Sequence, residues 1–237
     1  MSYVFDGSTS WASIADNAVL TLPDAAWLYS WWFKQPDNSG TDSPYVLIHG
    51  AAAAPRWYIM RYEHSQASYA DRFRMVIETV VSGAYQRPAA WTETAWHNFL
   101  LERAGTTYTL YIDNAAVCSE VDANVGAVDP TTNLYLGNYS SPFAAGACAC
   151  QIAELAKWNT TSAELRAALA AGQSPAFYPD GLQMYLKCLD NTDTTELING
   201  LAVTLNAVAS GDHPTIIYPS TGNPLGRLLA EALFLGA

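Results

Sequence analysis

Short apolar segments with alternating hydrophobic and polar positions dominate the first 160 residues of the chain. Most are rich in β-branched or aromatic residues, and turn residues separate them at intervals typical of β-sandwiches. Strands are predicted over residues 3–5, 26–34, 45–49, 57–63, 73–78, 97–103, 107–112, 133–137, 150–158 and 182–187. The pattern therefore predicts an all-β sandwich.

One short helix is predicted after residue 160. Thr161-Ser-Ala-Glu164 matches a capping box, and the residues that follow it favour a helix. Gly172 occupies the position of a left-handed C-terminal cap, and Pro175 prevents the helix from continuing. The sequence thus predicts strands, one helix, and then returning strands.

A hairpin is predicted between Trp96 and Asn114. Alternate residues of segments 99–103 and 108–112 can point to one face, and Ala104-Gly105 supplies the reversal between them. Asp113-Asn114 supplies a second tight turn, because Asp and Asn tolerate positive φ. Trp96 opens this meander as a large apolar anchor.

Several motifs follow one another in a familiar order. They are Trp96-His-Asn-Phe-Leu-Leu-Glu-Arg, Thr109-Leu-Tyr-Ile-Asp-Asn, Leu134-Tyr-Leu-Gly-Asn138, Ile152-Ala-Glu-Leu-Ala-Lys-Trp158 and the helix start at Thr161. This succession, from about residue 3 to residue 190, resembles the laminin-G-like, concanavalin A-like lectin/glucanase jelly rolls. The resemblance implies a jelly-roll sandwich of two curved antiparallel sheets, and no particular activity.

The chain departs from this family's pattern at two positions. Asn114 stands where the family usually has Gly after Asp, which changes only the chemistry of the turn. Ala153 stands where an Asp often precedes the residue that is Glu154 here. The second departure weakens any polar or calcium-linked role that the resemblance would imply for that strand.

The length of 237 residues fits one large sandwich, because all-β domains often reach this size. We expect a jelly-roll domain over residues 1–214 and a C-terminal extension over residues 215–237, packing on the domain or on a neighbouring subunit. Apolar extensions often dock on neighbours in assemblies. The candidate subunit-interface residues are Leu228, Leu229, Leu233 and Phe234.

Composition and charge narrow the classes of partner. Hydrophobic residues make up 50% of the chain and charged residues 14%, which argues against intrinsic disorder. The formal net charge of -11 argues against nucleic-acid binding, which relies on Lys and Arg. No basic, apolar leader precedes the first predicted strand, so no signal peptide is expected. The apolar stretch 228–235 contains Glu231 and is far shorter than the roughly 20 residues needed to cross a bilayer, so no membrane insertion is expected.

No metal or cofactor is predicted. Zinc would need two more ligands beside Cys148 and Cys150, and Cys118 and Cys188 lie far away in sequence, so buried free thiols are expected. The polar loop 190–196 lacks the alternating ligands and central Gly of an EF-hand, which favours a solvated turn.

The chain is not predicted to be an enzyme. Glucanases of this superfamily resemble one another in a Glu-x-Asp-x-x-Glu strand that pairs a nucleophile with a general acid. Glu120-Val-Asp122 approximates the first half of that pattern, but position 125 is Val. The four histidines are dispersed, and none has a neighbouring pattern that indicates a base.

Carbohydrate binding would use exposed aromatic rings, with polar loop residues bonding the hydroxyls. Trp31 and Trp32 are adjacent on a predicted strand and should therefore face opposite sides. Ordinary packing in the sandwich is the alternative role for each candidate. The candidate glycan-binding residues are Trp31, Trp32, Trp57, Tyr58 and Trp91.

The leading hypothesis from the sequence is a non-catalytic structural protein of a phage virion. The segment from Gly172-Gln-Ser-Pro175 through His213-Pro214 resembles the ending of stand-alone laminin-G-like proteins of tailed phages. We expect a homo-oligomer at the virion surface, as capsid decoration or a tail or fibre component, assembled in the host cytoplasm and contacting other virion proteins. The alternative is a carbohydrate-binding adhesion module that recognises host or surface glycans.

Overall fold

The computed structural model of the chain describes residues 1–35, 45–50, 56–62, 72–77, 81–86, 94–121, 126–138 and 147–219. One α-helix, α1 (Ala163–Ala170), lies in this part of the chain, and the rest of its regular structure is mainly strands. The strands are β1 (Ser2–Asp6), β2 (Trp11–Ile14), β3 (Trp27–Lys34), β4 (Tyr45–His49), β5 (Trp57–Tyr62), β6 (Arg72–Ile77), β7 (Val81–Gln86), β8 (His97–Ala104), β9 (Thr107–Ile112), β10 (Ala115–Val121), β11 (Leu134–Leu136), β12 (Ala149–Trp158), β13 (Leu182–Leu186), β14 (Val203–Asn206) and β15 (Ala209–Gly211).

These strands pair into two antiparallel sheets. Sheet A has the order β10-β9-β8-β3-β12-β1-β15, and β13 also pairs with β12. Sheet B has the order β14-β2-β11-β4-β5-β6-β7. Each sheet combines hairpins of consecutive strands, such as β8-β9-β10 and β4-β5-β6-β7, with neighbours that are far apart in sequence, such as β3 and β12, because the chain also crosses between the sheets. The predicted two-sheet jelly-roll sandwich with one short helix is confirmed.

The core lies between the two sheets and is strongly aromatic. Along β3, Trp27, Tyr29, Trp31 and Phe33 alternate with outward residues, and all four side chains are 0% exposed. The ring centroids of Phe33 and Phe73 lie 5.8 Å apart, which joins sheet A to sheet B through an edge-to-face contact. Truncating a buried ring of this kind to Ala typically costs about 3–5 kcal/mol of stability.

The predicted hairpin is present, and its second turn explains why Asp and Asn stand there. Asp113 and Asn114 have φ values of 50° and 64°, the left-handed conformation that a two-residue reversal between β9 and β10 requires. The Asp113 carboxylate accepts a hydrogen bond from the Asn98 backbone N–H at 2.9 Å, and its second oxygen lies 2.6 Å from His97 Nδ1. The turn is therefore tied back to the start of β8.

Helix α1 covers one end of the outer face of sheet A. Its N-cap is Ser162, whose Oγ accepts the Leu165 N–H at 3.0 Å, so the helix starts one residue later than the Thr161 capping box predicts. Leu165 and Leu169 are one turn apart and pack in a hydrophobic cluster on that face. The other main members of this cluster are Leu28, Leu100, Ala156, Trp158, Ala176, Leu182 and Tyr185.

The end of the described chain returns to the outer face of sheet A beyond α1. The Ser174 N–H donates to the Ile217 carbonyl at 2.9 Å, and the Ile217 N–H donates to the Gly172 carbonyl at 2.8 Å. The first residues of the expected extension thus lie against the sandwich, while the boundary at residue 214 stays a prediction. The interface candidates Leu228, Leu229, Leu233 and Phe234 lie outside the described residues and also stay predictions.

Four polar side chains, which we call the Glu154 cluster, hold this returning segment in place. Glu154 sits in an irregular part of β12 with a φ of 55° and is 1% exposed. Its carboxylate accepts hydrogen bonds from the hydroxyl of Tyr185 and, at 2.6 Å, from the hydroxyl of Tyr218. His213 Nε2 lies 3.2 Å from Glu154 Oε1. One buried carboxylate therefore joins β12, β13 and the segment 213–218.

Acidification should destabilise the fold through His49, a buried histidine at the end of β4. Burial lowers the pKa of His49 from 6.5 to about 4, while its Nε2 lies 2.8 Å from the Thr132 carbonyl. Between these two pH values the unfolded chain binds a proton that the folded chain does not, so stability falls as the pH falls through this window. We expect a loss of about 2 kcal/mol between pH 7 and pH 5 from this group.

Urea unfolding at the two pH values measures this loss. The His49→Gln variant keeps an amide that can donate to Thr132 but has no group that titrates, so its stability should change less with pH. An equal pH dependence in both proteins would show that His49 is not the responsible group.

Candidate functional site

One row of outward-facing side chains crosses six strands of sheet B. The register of the strand pairs aligns Thr204, Ser13, Tyr135, Ile48, Tyr58 and Val76 in that order, from β14 to β6. Each of these residues faces outward because its strand neighbours point into the core, as Leu134 and Leu136 do on either side of Tyr135. The row lies on the face opposite to the interior of the sandwich.

Four aromatic residues, which we call the aromatic face, lie on or beside this row: Trp11, Tyr45, Tyr58 and Tyr135. The rings of Trp11 and Tyr135 have centroids 5.9 Å apart at an interplanar angle of 68°. Those of Tyr45 and Tyr58 have centroids 5.3 Å apart at 88°. Both pairs have the edge-to-face geometry that aromatic quadrupoles favour, which fixes the orientation of the rings.

The aromatic face has a covered centre and more accessible ends. Ile48, Tyr58 and Val76 are 5%, 6% and 3% exposed and form a small hydrophobic cluster, while Trp11, Tyr45 and Tyr135 are half-buried. The Arg56 guanidinium lies 5.5 Å from the centre of the Tyr58 ring. A ligand that approaches from solvent would therefore contact the half-buried rings, and the buried residues would pack beside those rings.

Polar groups adjoin the aromatic face on its β2 and β14 side. Thr204 and Asn206 are exposed, and Asn206 pairs with Trp11 across the strands. The Ser13 hydroxyl lies 3.4 Å from the Asn133 amide nitrogen. Half-accessible rings with hydroxyl and amide groups beside them are the combination that binds a sugar, because the rings contact its C–H face and the polar groups bond its hydroxyls.

The structure corrects two of the five predicted glycan-binding residues. Trp31 and Trp57 are both 0% exposed in the core between the sheets, so neither ring can meet a ligand from solvent. Trp32 faces away from the core, as predicted from its place next to Trp31, and is half-buried on the outer face of sheet A. Tyr58 belongs to the aromatic face, and Trp91 lies outside the described residues.

Three members of the aromatic face were not singled out from the sequence. Tyr135 stands between two leucines, an alternation that could have placed it on the opposite face from them. Trp11 lies on a strand of four residues, too short to give a clear pattern. Tyr45 precedes a bulge in β4, where alternation breaks down.

The described residues do not bring together three or more possible metal-ligating side chains. All four cysteines are free and buried, as predicted. In the polar loop, Asp190 accepts hydrogen bonds from the backbone and hydroxyl of Thr192, and Glu196 accepts bonds from three backbone N–H groups. These carboxylates cap turns. Within the same residues, no helix is both long and apolar enough to span a membrane.

The glucanase-like carboxylates can be placed only in part. Glu120 lies on β10, the edge strand of sheet A, and is half-buried opposite Tyr108. Asp122 and position 125 lie outside the described residues. The sequence argument against a paired acid and nucleophile at this strand therefore stays a prediction.

Comparison with known proteins finds similarity in structure alone. No protein-family profile matches the chain, and no characterised protein matches it in sequence. A candidate carbohydrate-binding protein from Bacteroides ovatus superposes with a TM-score of 0.70 at 13% identity, over 91% of this chain and 61% of that one. This chain thus spans less than two thirds of that protein's length.

Two further structures have the same type of fold. The native heptameric SAP-like pentraxin from Limulus polyphemus has a TM-score of 0.59 at 10% identity, over 88% of this chain and 94% of that one. The binding domain of Paraclostridial mosquitocidal protein 1 has a TM-score of 0.53 at 8% identity, over 70% of this chain and 46% of that one. At such identities the likeness establishes the fold alone, a two-sheet antiparallel β-sandwich of the jelly-roll type.

Proposed function

We propose that this chain is a carbohydrate-binding, lectin-like domain that binds glycans through the aromatic face of sheet B. The observation that carries the proposal is the pair of edge-to-face ring contacts, Trp11 with Tyr135 and Tyr45 with Tyr58, on the outward side of a sheet. An outward sheet face is normally polar, and an apolar patch there indicates a binding surface. The fold shared with a candidate carbohydrate-binding protein supports the same class of ligand.

The arrangement suits a sugar better than a flat apolar partner. The half-buried rings of Trp11 and Tyr135 offer an aromatic surface, and exposed Thr204 and Asn206 offer hydroxyl and amide groups within the adjoining strands. Strands place these groups with little freedom, so little conformational entropy is lost when a ligand binds. The proposal assigns binding to this face and no chemical reaction.

Removing the indole of Trp11 should weaken glycan binding at least tenfold, because the ring supplies contact area and also orients Tyr135. A tenfold loss corresponds to about 1.4 kcal/mol of binding free energy, within reach of one aromatic contact. A glycan array would identify the ligand, and titration calorimetry with Trp11→Ala and Tyr135→Ala would measure the loss.

Tyr111→Ala is the matched control, since Tyr111 is also half-buried and outward but lies on sheet A, beneath the Arg166 guanidinium. It should bind as the unmodified chain does. Undiminished binding by Trp11→Ala and Tyr135→Ala would exclude the aromatic face as the site.

The phage-virion role predicted from the sequence is less well supported than this alternative. The structural neighbours described above favour carbohydrate binding, and none of the observations on the described residues bears on capsid or tail partners. Although the pentraxin among them is heptameric, a homo-oligomer of this chain stays a prediction, as does its location in a virion.

A further inference from the structure

We propose a second glycan-binding subsite on the opposite side of the sandwich, on the outer face of sheet A. It consists of Trp32, Lys34, Trp96 and Asp212, which we call the sheet A subsite. The proposal shares its class of ligand with the proposed function but uses none of the residues of the aromatic face. A domain with both sites would be bivalent and could hold two glycan chains at once.

Strand geometry brings the four residues to one place. Trp32 and Lys34 alternate on β3 with Trp31 and Phe33, which lie in the core, so both point outward. Phe33 pairs with His97, which sets Trp96 beside Lys34 at the end of the β3–β8 ladder.

Direct contacts fix the relative positions of three of these side chains. The Lys34 ammonium nitrogen lies 2.7 Å from Asp212 Oδ2 and 5.9 Å from the centre of the Trp96 ring. The Trp96 indole N–H donates to the same Asp212 oxygen, with 3.3 Å between the heavy atoms. The bond to Asp212 therefore sets the orientation of the indole before any ligand binds.

The subsite lies on a part of sheet A that helix α1 leaves uncovered. On β3, Leu28 belongs to the hydrophobic cluster that helix α1 covers. Trp32 is four residues further along this strand, which places it about 13 Å from Leu28 at the rise of an extended strand. Trp32 and Trp96 are half-buried and belong to none of the hydrophobic clusters of the described residues. The Asp212 side chain is 55% exposed. Both rings and the carboxylate thus remain accessible.

The charge balance of the subsite favours a neutral sugar. Lys34 and Asp212 neutralise each other, so an acidic sugar would have to compete with Asp212 for the ammonium. A neutral pyranose avoids that cost, because a carboxylate has about four acceptor positions and the ammonium three donors, leaving bonds for neighbouring hydroxyls. The indole faces would contact the C–H side of the ring. We infer a neutral hexopyranose with adjacent free hydroxyls as the ligand.

The test is an NMR titration that follows the indole N–H signals of the tryptophans. The probes are the methyl glycosides of mannose, glucose and galactose, with methyl glucuronide as the acidic comparison. The signals of Trp32, Trp96 and Trp11 are assigned through their Phe variants. We expect one neutral glycoside to shift the Trp32 and Trp96 signals with a common saturation curve, also in Trp11→Ala, in which the aromatic face is impaired.

Two substitutions should remove this response. Trp32→Ala deletes a ring, and Asp212→Asn keeps the shape while removing the charge that holds Lys34, so each should weaken binding at this subsite at least tenfold. The Trp11 signal should respond as before in both variants. Wild-type far-UV circular dichroism of the variants would show that the fold is intact.

The failures of the two proposals are distinguishable. If the Trp32 and Trp96 signals do not move while the Trp11 signal does, the sheet A subsite is wrong and the proposed function stands. If only Trp32 and Trp96 respond, the aromatic face is wrong and the subsite stands. A response to methyl glucuronide alone would overturn the inference of a neutral ligand.

Discussion

Replacing Glu154 with leucine should destabilise the protein by about 3–5 kcal/mol, because the substitution leaves a buried polar cluster without its shared acceptor. Glu154 is 1% exposed, and its carboxylate accepts hydrogen bonds from the hydroxyls of Tyr185 and Tyr218. Tyr185 keeps a contact to Ser174 at 3.1 Å, but Tyr218 would have to find water or leave the surface of the sheet. Urea unfolding followed by tryptophan fluorescence measures the loss.

The Glu164→Leu variant is the matched control for charge and side-chain size. Glu164 is exposed in the first turn of α1, so losing its carboxylate should cost far less than losing a buried one. Hydrogen exchange locates the effect, since the Ile217 N–H bonded to the Gly172 carbonyl should exchange faster in Glu154→Leu. A loss of stability no larger than that of Glu164→Leu would mean that the cluster does not hold the segment 213–218.

The Glu154 cluster also shows what the sequence could not predict. In the sequence, Glu154 is one polar residue within a run of apolar ones. Its hydrogen-bond partners Tyr185 and Tyr218 lie 31 and 64 residues away along the chain. The irregular pairing of β12 between Ala153 and Ala156 carries no local signal either. The alanine at position 153 weakened the expectation of a polar role for strand β12. In the structure the next residue, Glu154, is polar and has a structural role.

Strong local patterns, by contrast, were sufficient for much of the sandwich. The predicted strands over 26–34, 45–49 and 107–112 coincide with β3, β4 and β9 to within one residue. The strands that the sequence did not predict are short or lie at the edges of the sheets. Strand β10 is an edge strand with the sequence Ala-Ala-Val-Cys-Ser-Glu-Val, and only one of its side chains is buried. Such strands form because a neighbour is present, and their own sequences show little alternation.

The candidate site was harder to predict because it depends on strand order. Alternation established that Trp31 and Trp32 face opposite sides, but two adjacent tryptophans do not reveal which of them is inside. The aromatic face combines the consecutive strands β4 and β5 with β2 and β11, which join them only through crossovers between the sheets. The sequence therefore offered aromatic residues as candidates, and the topology determines which of them share an outward face.

Replacing Gly137 with alanine should cost about 2–5 kcal/mol, because the new methyl group would collide with a core ring. Gly137 has a φ of 75°, and a Cβ at this position would lie 2.4 Å from two ring atoms of Phe5, which is 2% exposed. The backbone cannot easily retreat, since Gly137 donates to the Val46 carbonyl at 3.0 Å and accepts from the Cys148 N–H at 2.6 Å. A left-handed non-glycine residue costs about 1–2 kcal/mol and overpacking about 1–3 kcal/mol.

Gly105→Ala separates these two contributions. Gly105 has a φ of 62°, but nothing lies within 4 Å of its added Cβ, so this variant should lose only the backbone part, about 1–2 kcal/mol. Phe5→Leu introduced together with Gly137→Ala should then restore part of the loss, because a smaller side chain makes room for the methyl group. Two results together would contradict this explanation: Gly137→Ala unfolds at the same urea concentration as Gly105→Ala, and the stability changes of Phe5→Leu and Gly137→Ala simply add in the double variant. The close contact between Gly137 and Phe5 would then not limit the packing of β1 against β11.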